Sequence, residues 1–245
     1  MENIWYKNEK IKYKVEIKKD DENEKFKESY IGDNNNCLIK NLVGSIKYKI
    51  RICSIYNNLE GEWSEIEEIR TSVDSIILRD SKKEKKFLNK IFEWSGYNNM
   101  ELIYRGSRDG MTAKKFHDFC DNKGPTICLF KNEKENIFGG YSPISWESND
   151  PEKWYKLDDS FMFTLTNIYD TEPSKFPHQK GKDSVIHYFK SGPGFDDLYS
   201  RDGFNNFAIN FPRGHIDTLG KGKSIITGNS NNLKLIEVEI FKLIK

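Results

Sequence analysis

The sequence predicts a mainly β, α+β protein in two parts: short strands over residues 1–72, then a larger β-rich domain with short helices over residues 73–245. Three observations carry this. Period-two alternation recurs in short runs, such as Tyr13, Val15 and Ile17, or Ile236, Val238 and Ile240. Helical periodicity is confined to two segments near residues 81–96 and 112–120, so strands and helices do not alternate as in a βαβ fold. The chain has 16 Phe, 12 Tyr and 5 Trp, which compensate for a hydrophobic fraction of only 36%, because each buries about 150–250 Å².

The first strand is Ile11–Ile17. A second is expected at Cys37–Leu42, ended by Gly44, and a third over Tyr48, Ile50, Ile52, Ser54 and Tyr56. Asn57–Gly61 is a turn, and Glu65–Thr71 resumes the strand pattern. The domain boundary falls near Thr71–Arg79. Ser81 is expected to cap a helix, with Glu84 completing a capping box, Phe87, Leu88, Ile91 and Phe92 on its core face, and Gly96 at its end.

Glu101–Tyr104 reads as a strand and Arg105–Gly110 as a tight turn. Thr112 caps a second helix with Phe116, Phe119 and Cys120 on one face, stopped by Asn122 and Gly124. Strands follow at Thr126–Phe130 and Ile137–Tyr141, joined by the charged hairpin Lys131–Asn136, and at Phe161–Leu165, with weaker ones at Val185–Phe189 and Phe207–Ile209. In the last strand Glu237 and Glu239 alternate with the apolar residues, which reads as a solvated face.

Charge excludes some functions. With 39 basic and 38 acidic residues the net charge is +1, without the clustered excess that nucleic acid demands. The one basic cluster, Lys82, Lys83, Lys85 and Lys86, is broken by Glu84 and reads as a solvated helix face. No apolar stretch approaches the ~20 residues of a membrane span, and no apolar signal segment follows Met1. A cytoplasmic protein without membrane insertion is therefore expected. Cys37, Cys53, Cys120 and Cys128 show no CxxC spacing and are expected to be free thiols.

No phosphate-binding, dinucleotide-binding, nucleophile-elbow or HExxH pattern occurs, so no catalytic residue, cofactor or metal is assigned. His117 and Cys120 are helix neighbours, and a thiol-dependent enzyme using Cys120 or Cys128 is the alternative function. The simpler reading places Cys120 in the core and gives His117 a local hydrogen bond. His178, His187 and His215 lack ligand spacing. Asp109 is expected to cap the glycine turn and an arginine, Arg105 or Arg108, to brace the fold, with recognition of a partner carboxylate as the other reading. Gly139 and Gly140 point to close strand packing. The aromatic loops Tyr141–Trp154 and Gly192–Phe204, with Tyr199, are a candidate recognition surface.

Within residues 1–72, Tyr13-Lys14-Val15-Glu16, Leu42 six residues before Tyr48, the run Tyr48–Asn57, Gly61 and Trp63-Ser64 resemble a fibronectin type III domain. That sandwich needs about 100 residues and seven strands. Only Ile4 and Trp5 stand where its second strand belongs, and its first is absent, so the resemblance implies a truncated domain. Either the natural chain is longer or the C-terminal domain covers the open edge.

Over about residues 74–243 the chain resembles the TLDc domain family. The resemblance is carried by Tyr104-Arg105-Gly106-Ser107-Arg108-Asp109-Gly110 with Phe116-His117 and Cys120-Asp121, then Gly139-Gly140-Tyr141 with Ser145-Trp146, and Phe161–Leu165. Gly192-Pro193 with Phe195 and Asp197-Leu198, and then Glu237-Val238-Glu239-Ile240-Phe241, complete it in order. Asp196 departs from the glycine that many members carry there. The resemblance implies a two-sheet β-sandwich flanked by short helices. It also implies a non-catalytic protein-interaction role in oxidative-stress protection, with vacuolar proton-pumping ATPase subunits as partner, peripheral to endolysosomal membranes.

Overall fold

The computed structural model describes residues 10–40, 42, 44, 46–205, 207–229 and 233–245. Ile4 and Trp5 lie outside them. The chain divides into two compact units, Met1–Val73 and Asp74–Lys245.

The first unit holds β1 (Lys12–Lys19), β2 (Lys27–Gly32), β3 (Lys47–Tyr56), β4 (Leu59–Glu60) and β5 (Glu67–Arg70). They form one sheet in the order β2-β1-β3-β4, with β5 also on β3. Among the described residues no second sheet faces it, so this unit is a single layer and not the two-sheet sandwich that the resemblance implies. The strand expected at Cys37–Leu42 is corrected: its described residues are irregular, Cys37 and Leu38 are exposed, and Lys27–Gly32 pairs with β1 instead. The β3–β4 hairpin turns through Asn57 and Asn58, both at positive φ, the left-handed conformation that asparagine tolerates. Arg51 is bonded to Glu16 at 2.6 Å and lies 4.3 and 4.1 Å from the Phe26 and Trp63 ring centres.

The second unit begins with α1 (Ile76–Asp80) and α2 (Glu84–Ser95), then β6 (Asn99–Arg105), the single turn α3 (Gly106–Asp109) and α4 (Ala113–Cys120). There follow β7 (Thr126–Asn132), β8 (Ile137–Ser142), β9 (Lys153–Tyr155), β10 (Phe161–Thr166), β11 (Ser174–Pro177) and β12 (Val185–His187). Last come β13 (Gly194–Phe195), β14 (Leu198–Tyr199), β15 (Ala208–Ile209), α5 (Ser224–Thr227) and β16 (Leu235–Ile244). An antiparallel six-stranded sheet runs β11-β10-β8-β7-β16-β6, and a second sheet runs β15-β14-β13-β12-β9. One buried cluster draws on both sheets, including Phe130, Phe138, Met162, Val185, Phe195 and Leu198. On the opposite face of the larger sheet Trp94, near the end of α2, lies 6.5 Å from the Phe161 ring and 5.9 Å from Phe163. Covered on both faces, β7, β8 and β10 read as continuous apolar runs. The mainly β, α+β class is the observed one.

Helix ends follow local chemistry with one correction. Thr112 caps α4, accepting from the Lys115 amide, and Gly96 ends α2 at φ 72 with its N–H on Phe92 O. Ser81 does not start α2. It closes α1, donating to Leu78 O, and α2 begins at Glu84 without a side-chain cap. The cap that forms is Ser75, whose hydroxyl accepts from Leu78 N at 3.0 Å. Phe87, Leu88, Ile91 and Phe92 are buried as the spacing requires. Lys82, Lys83, Lys85 and Lys86 are exposed.

Candidate functional site

The motif residues 104–110 converge with β16 on a network that the spacing of Glu237 and Glu239 does not foretell. Glu239 lies opposite Arg105 and Leu129 in its neighbouring strands. Its carboxylate has no solvent exposure, which corrects the solvated-face reading; Glu237 is buried too. Glu239 Oε1 accepts from Arg105 Nε at 2.8 Å and from the Ile76 amide at 2.9 Å, and Oε2 accepts from Ser75 Oγ at 2.5 Å. Burial pushes the Glu239 carboxyl upward, while these donors and the Arg105 charge act in the opposite direction. Arg105 Nη2 also donates to Asp74 O and Oδ1, each at 2.8 Å. One guanidinium thus holds the start of the unit to its last strand.

The turn itself is closed internally. Asp109 accepts from the Arg105 amide at 2.9 Å and from Arg108 through both oxygens, at 2.9 and 2.8 Å. The Arg108 bond holds its carboxyl below the usual range. The Ser107 amide donates to Glu237 Oε1 at 3.1 Å, and Tyr104 Oη donates to Gly110 O at 2.9 Å. Gly106 is packed on Met111, and a Cβ there would lie 2.7 Å from Met111 Cγ. Asp109 caps and Arg105 braces, as the residue types suggest.

His117 Nδ1 is 2.7 Å from Asp121 Oδ1 and Nε2 is 3.0 Å from Tyr188 O, so both ring nitrogens have local partners. Cys120 and Cys128 have no exposure, and burial pushes both thiols up. A nucleophilic thiolate needs the opposite environment. Phe119, expected in the core beside Cys120, is at the surface, and His117 takes the buried position. All four cysteines are free.

The glycines are sites of close approach. A Cβ on Gly139 would lie 2.0 Å from Cys128 O, and one on Gly140 2.3 Å from Phe195 Cζ. Trp146 is buried between the Phe116 and Phe195 rings and donates to Thr126 Oγ1 at 2.8 Å. Gly192 and Pro193 are buried, with Gly192 N on Gly203 O at 3.0 Å. Of the aromatic residues in the loops Tyr141–Trp154 and Gly192–Phe204, Tyr141, Trp146, Phe195 and Phe204 are buried, and Trp154 and Tyr199 reach solvent in part.

Sequence reasoning missed a second buried network. Asp197 accepts from the Arg213 and Gly214 amides and lies 2.5 Å from His215 Nδ1. His178 and His215, distant in sequence, stand with ring centres 5.9 Å apart. Asp196, at the departure from the motif glycine, packs against Gly214 with Arg213 Nη2 at 3.3 Å, and burial raises its carboxyl. Asp197 and His215 are eighteen residues apart on irregular segments, where neither the helix nor the strand period applies, so no sequence signal marks the pair. Among the described residues no His, Cys, Asp and Glu group is arranged to hold a metal ion, and no helix is long and apolar enough to cross a membrane.

Compared with known protein families, residues 72–244 match the TLDc domain. No curated protein matches the chain.

Proposed function

Because the chain belongs to the TLDc domain family, we propose that it is a non-catalytic interaction module that docks on the cytosolic sector of the vacuolar proton-pumping ATPase in oxidative-stress protection. This places it in the cytoplasm, peripheral to endolysosomal membranes. The observation that supports a binding rather than a chemical role is the internal use of the motif's polar groups. Arg105, Asp109, His117 and Glu239 each bond to protein atoms, and the thiols of Cys120 and Cys128 are buried. In this reading Arg105, Gly106, Ser107, Arg108, Asp109, Gly110, His117, Gly139, Gly140, Trp146, Gly192, Pro193 and Glu239 build a rigid scaffold, and the partner is met elsewhere on the surface.

The two compact units support separate domains over residues 1–72 and 73–245. The sheet of the first, in which β1 pairs with β3, is compatible with half of a fibronectin-type sandwich acting as a second interaction module. Limited proteolysis that yields two folded pieces near Val73–Arg79 is the expected result.

Affinity capture of the full chain from cell lysate, read by mass spectrometry, tests the main reading. Recovery of pump subunits is expected. A preparation with intact circular dichroism that never recovers them overturns it.

A further inference from the structure

Beside the carboxyl end of α2 the second unit contains a cavity of about 380 Å³, within the range of small recognition sites. Its walls include Trp94, Tyr97, Tyr141, Ser160, Lys175 and Lys245. Its two cations share the walls with Asp158 and Asp159 but touch neither carboxylate at ion-pair distance among the described residues. The Lys175 ammonium stands 4.3 Å from the Phe161 ring centre, and its one hydrogen bond is a long 3.4 Å contact to Trp94 O. Lys245 Nζ lies 5.8 Å from the Tyr97 ring centre. Neither makes an ion pair among the described residues, although other lysines of this chain do so readily. Burial lowers the Lys175 pKa and the Asp159 charge offsets this only in part, so a further anion close to the ammonium would favour its charged form.

A second, independent feature is Ser160. It is 1% exposed, lines the same cavity, and its hydroxyl has no hydrogen-bond partner. Buried hydroxyls are ordinarily satisfied, and this one has no protein partner, so it is free to donate to a group seated in the cavity. Asp158 and Asp159 are exposed and also line the cavity. Their negative charge disfavours a dianion such as phosphate more than a singly charged carboxylate, and they supply acceptors for peptide N–H groups.

We propose that this cavity binds one carboxylate of an acidic partner peptide, seated between Lys175 and Lys245 with Ser160 as a hydroxyl donor and the Trp94 and Tyr97 rings against its methylene stem. This rests on the reading of the chain as a protein-binding module and locates a contact for it.

The test is a titration of the full-length ¹⁵N-labelled protein with the capped tripeptides acetyl-Gly-Glu-Gly-amide and acetyl-Gly-Gln-Gly-amide. Saturable shifts at the Gly96 and Tyr97 amides are expected with the first, at an affinity on the order of millimolar, and not with the second. Lys175→Met is expected to weaken binding at least tenfold. Lys245→Gln, at the end of the last strand, is expected to weaken it too and serves if the first variant does not fold. Lys221→Met is expected to leave it unchanged. Equal shifts with both peptides, or none at Gly96 and Tyr97, overturn the proposal. Tighter saturation by methyl phosphate overturns the carboxylate assignment, and saturation by acetate without the glutamyl peptide overturns the peptide source. If Lys175→Met loses the tripeptide but still captures pump subunits, the cavity stands and the pump docks elsewhere.

Discussion

Arg105 Nε lies 2.8 Å from Oε1 of Glu239, a carboxylate with no solvent exposure. The pair joins β6 to β16, and through Ser75 and Ile76 it also fixes the start of α1. Two strands from opposite ends of the unit and its first helix thus share one charge. A buried ion pair of this kind is costly to break from one side, because the remaining partner stays desolvated.

Glu239→Ala is therefore expected to destabilise the second unit by about 3–5 kcal/mol, lowering its Tm by about 6–20 °C at about 2–4 °C per kcal/mol. Glu239→Gln keeps an acceptor for Ser75 or Ile76 and is expected to lose less. Thermal melts followed by circular dichroism decide this. An unchanged melt for Glu239→Ala would show that the network adds nothing to stability.

Gly139 and Gly96 make a contrasting pair. An added methyl at Gly139 meets the backbone oxygen of Cys128 at 2.0 Å, and that atom belongs to a paired central strand. Gly139→Ala is expected to cost about 3 kcal/mol, the upper end of overpacking. At Gly96 nothing stands within 4 Å, and the penalty comes only from φ 72. Gly96→Ala is expected to cost about 1 kcal/mol, because strain is partly offset by a less free unfolded chain. Denaturant midpoints that rank the two in the reverse order contradict this account.

The strands β7, β8, β10 and β16 were legible because apolar and aromatic runs bounded by turns have few other solutions, and α4 because Thr112 stands before a helical period. The helix α1 was not legible: five residues span too little for periodicity, and Ser81 with Glu84 offered a capping pattern that competed with the one at Ser75. Glu237 and Glu239 were misread for a related reason. Period two shows that two residues share a face and says nothing about what covers it. Their partners Ser75, Arg105 and Ser107 lie 130 or more residues away. The Asp197–His215 network joins irregular segments, where neither period applies.

Cysteine accessibility separates the binding reading from thiol chemistry. Cys37 is exposed, whereas Cys53, Cys120 and Cys128 are buried. Brief treatment of the native protein with iodoacetamide is expected to modify Cys37 alone, with the other three modified only after denaturation. Peptide mapping by mass spectrometry reads the result. Rapid native modification of Cys120 or Cys128 would restore the enzymatic alternative.

His187 makes the fold acid-sensitive. Its ring lies 5.2 Å from that of Trp146 and 4.6 Å from that of Tyr155, is almost fully buried, and has no hydrogen-bond partner on either nitrogen. Burial lowers its pKa from 6.5 to about 4. Between those values the unfolded chain binds a proton that the folded chain refuses, so stability rises with pH across the window and is lost as pH falls through it. At 1.36 kcal/mol per pH unit the loss from this residue reaches about 3 kcal/mol near pH 4. His187→Phe removes the titrating group and both unpaired nitrogens while keeping the ring contacts. Denaturant midpoints measured from about pH 4.5 to 7.5 are expected to fall more steeply toward acid for the parent than for the variant. The difference between the two curves isolates His187 from the other histidines, and parallel curves would rule out a neutral buried His187 as a source of the acid sensitivity.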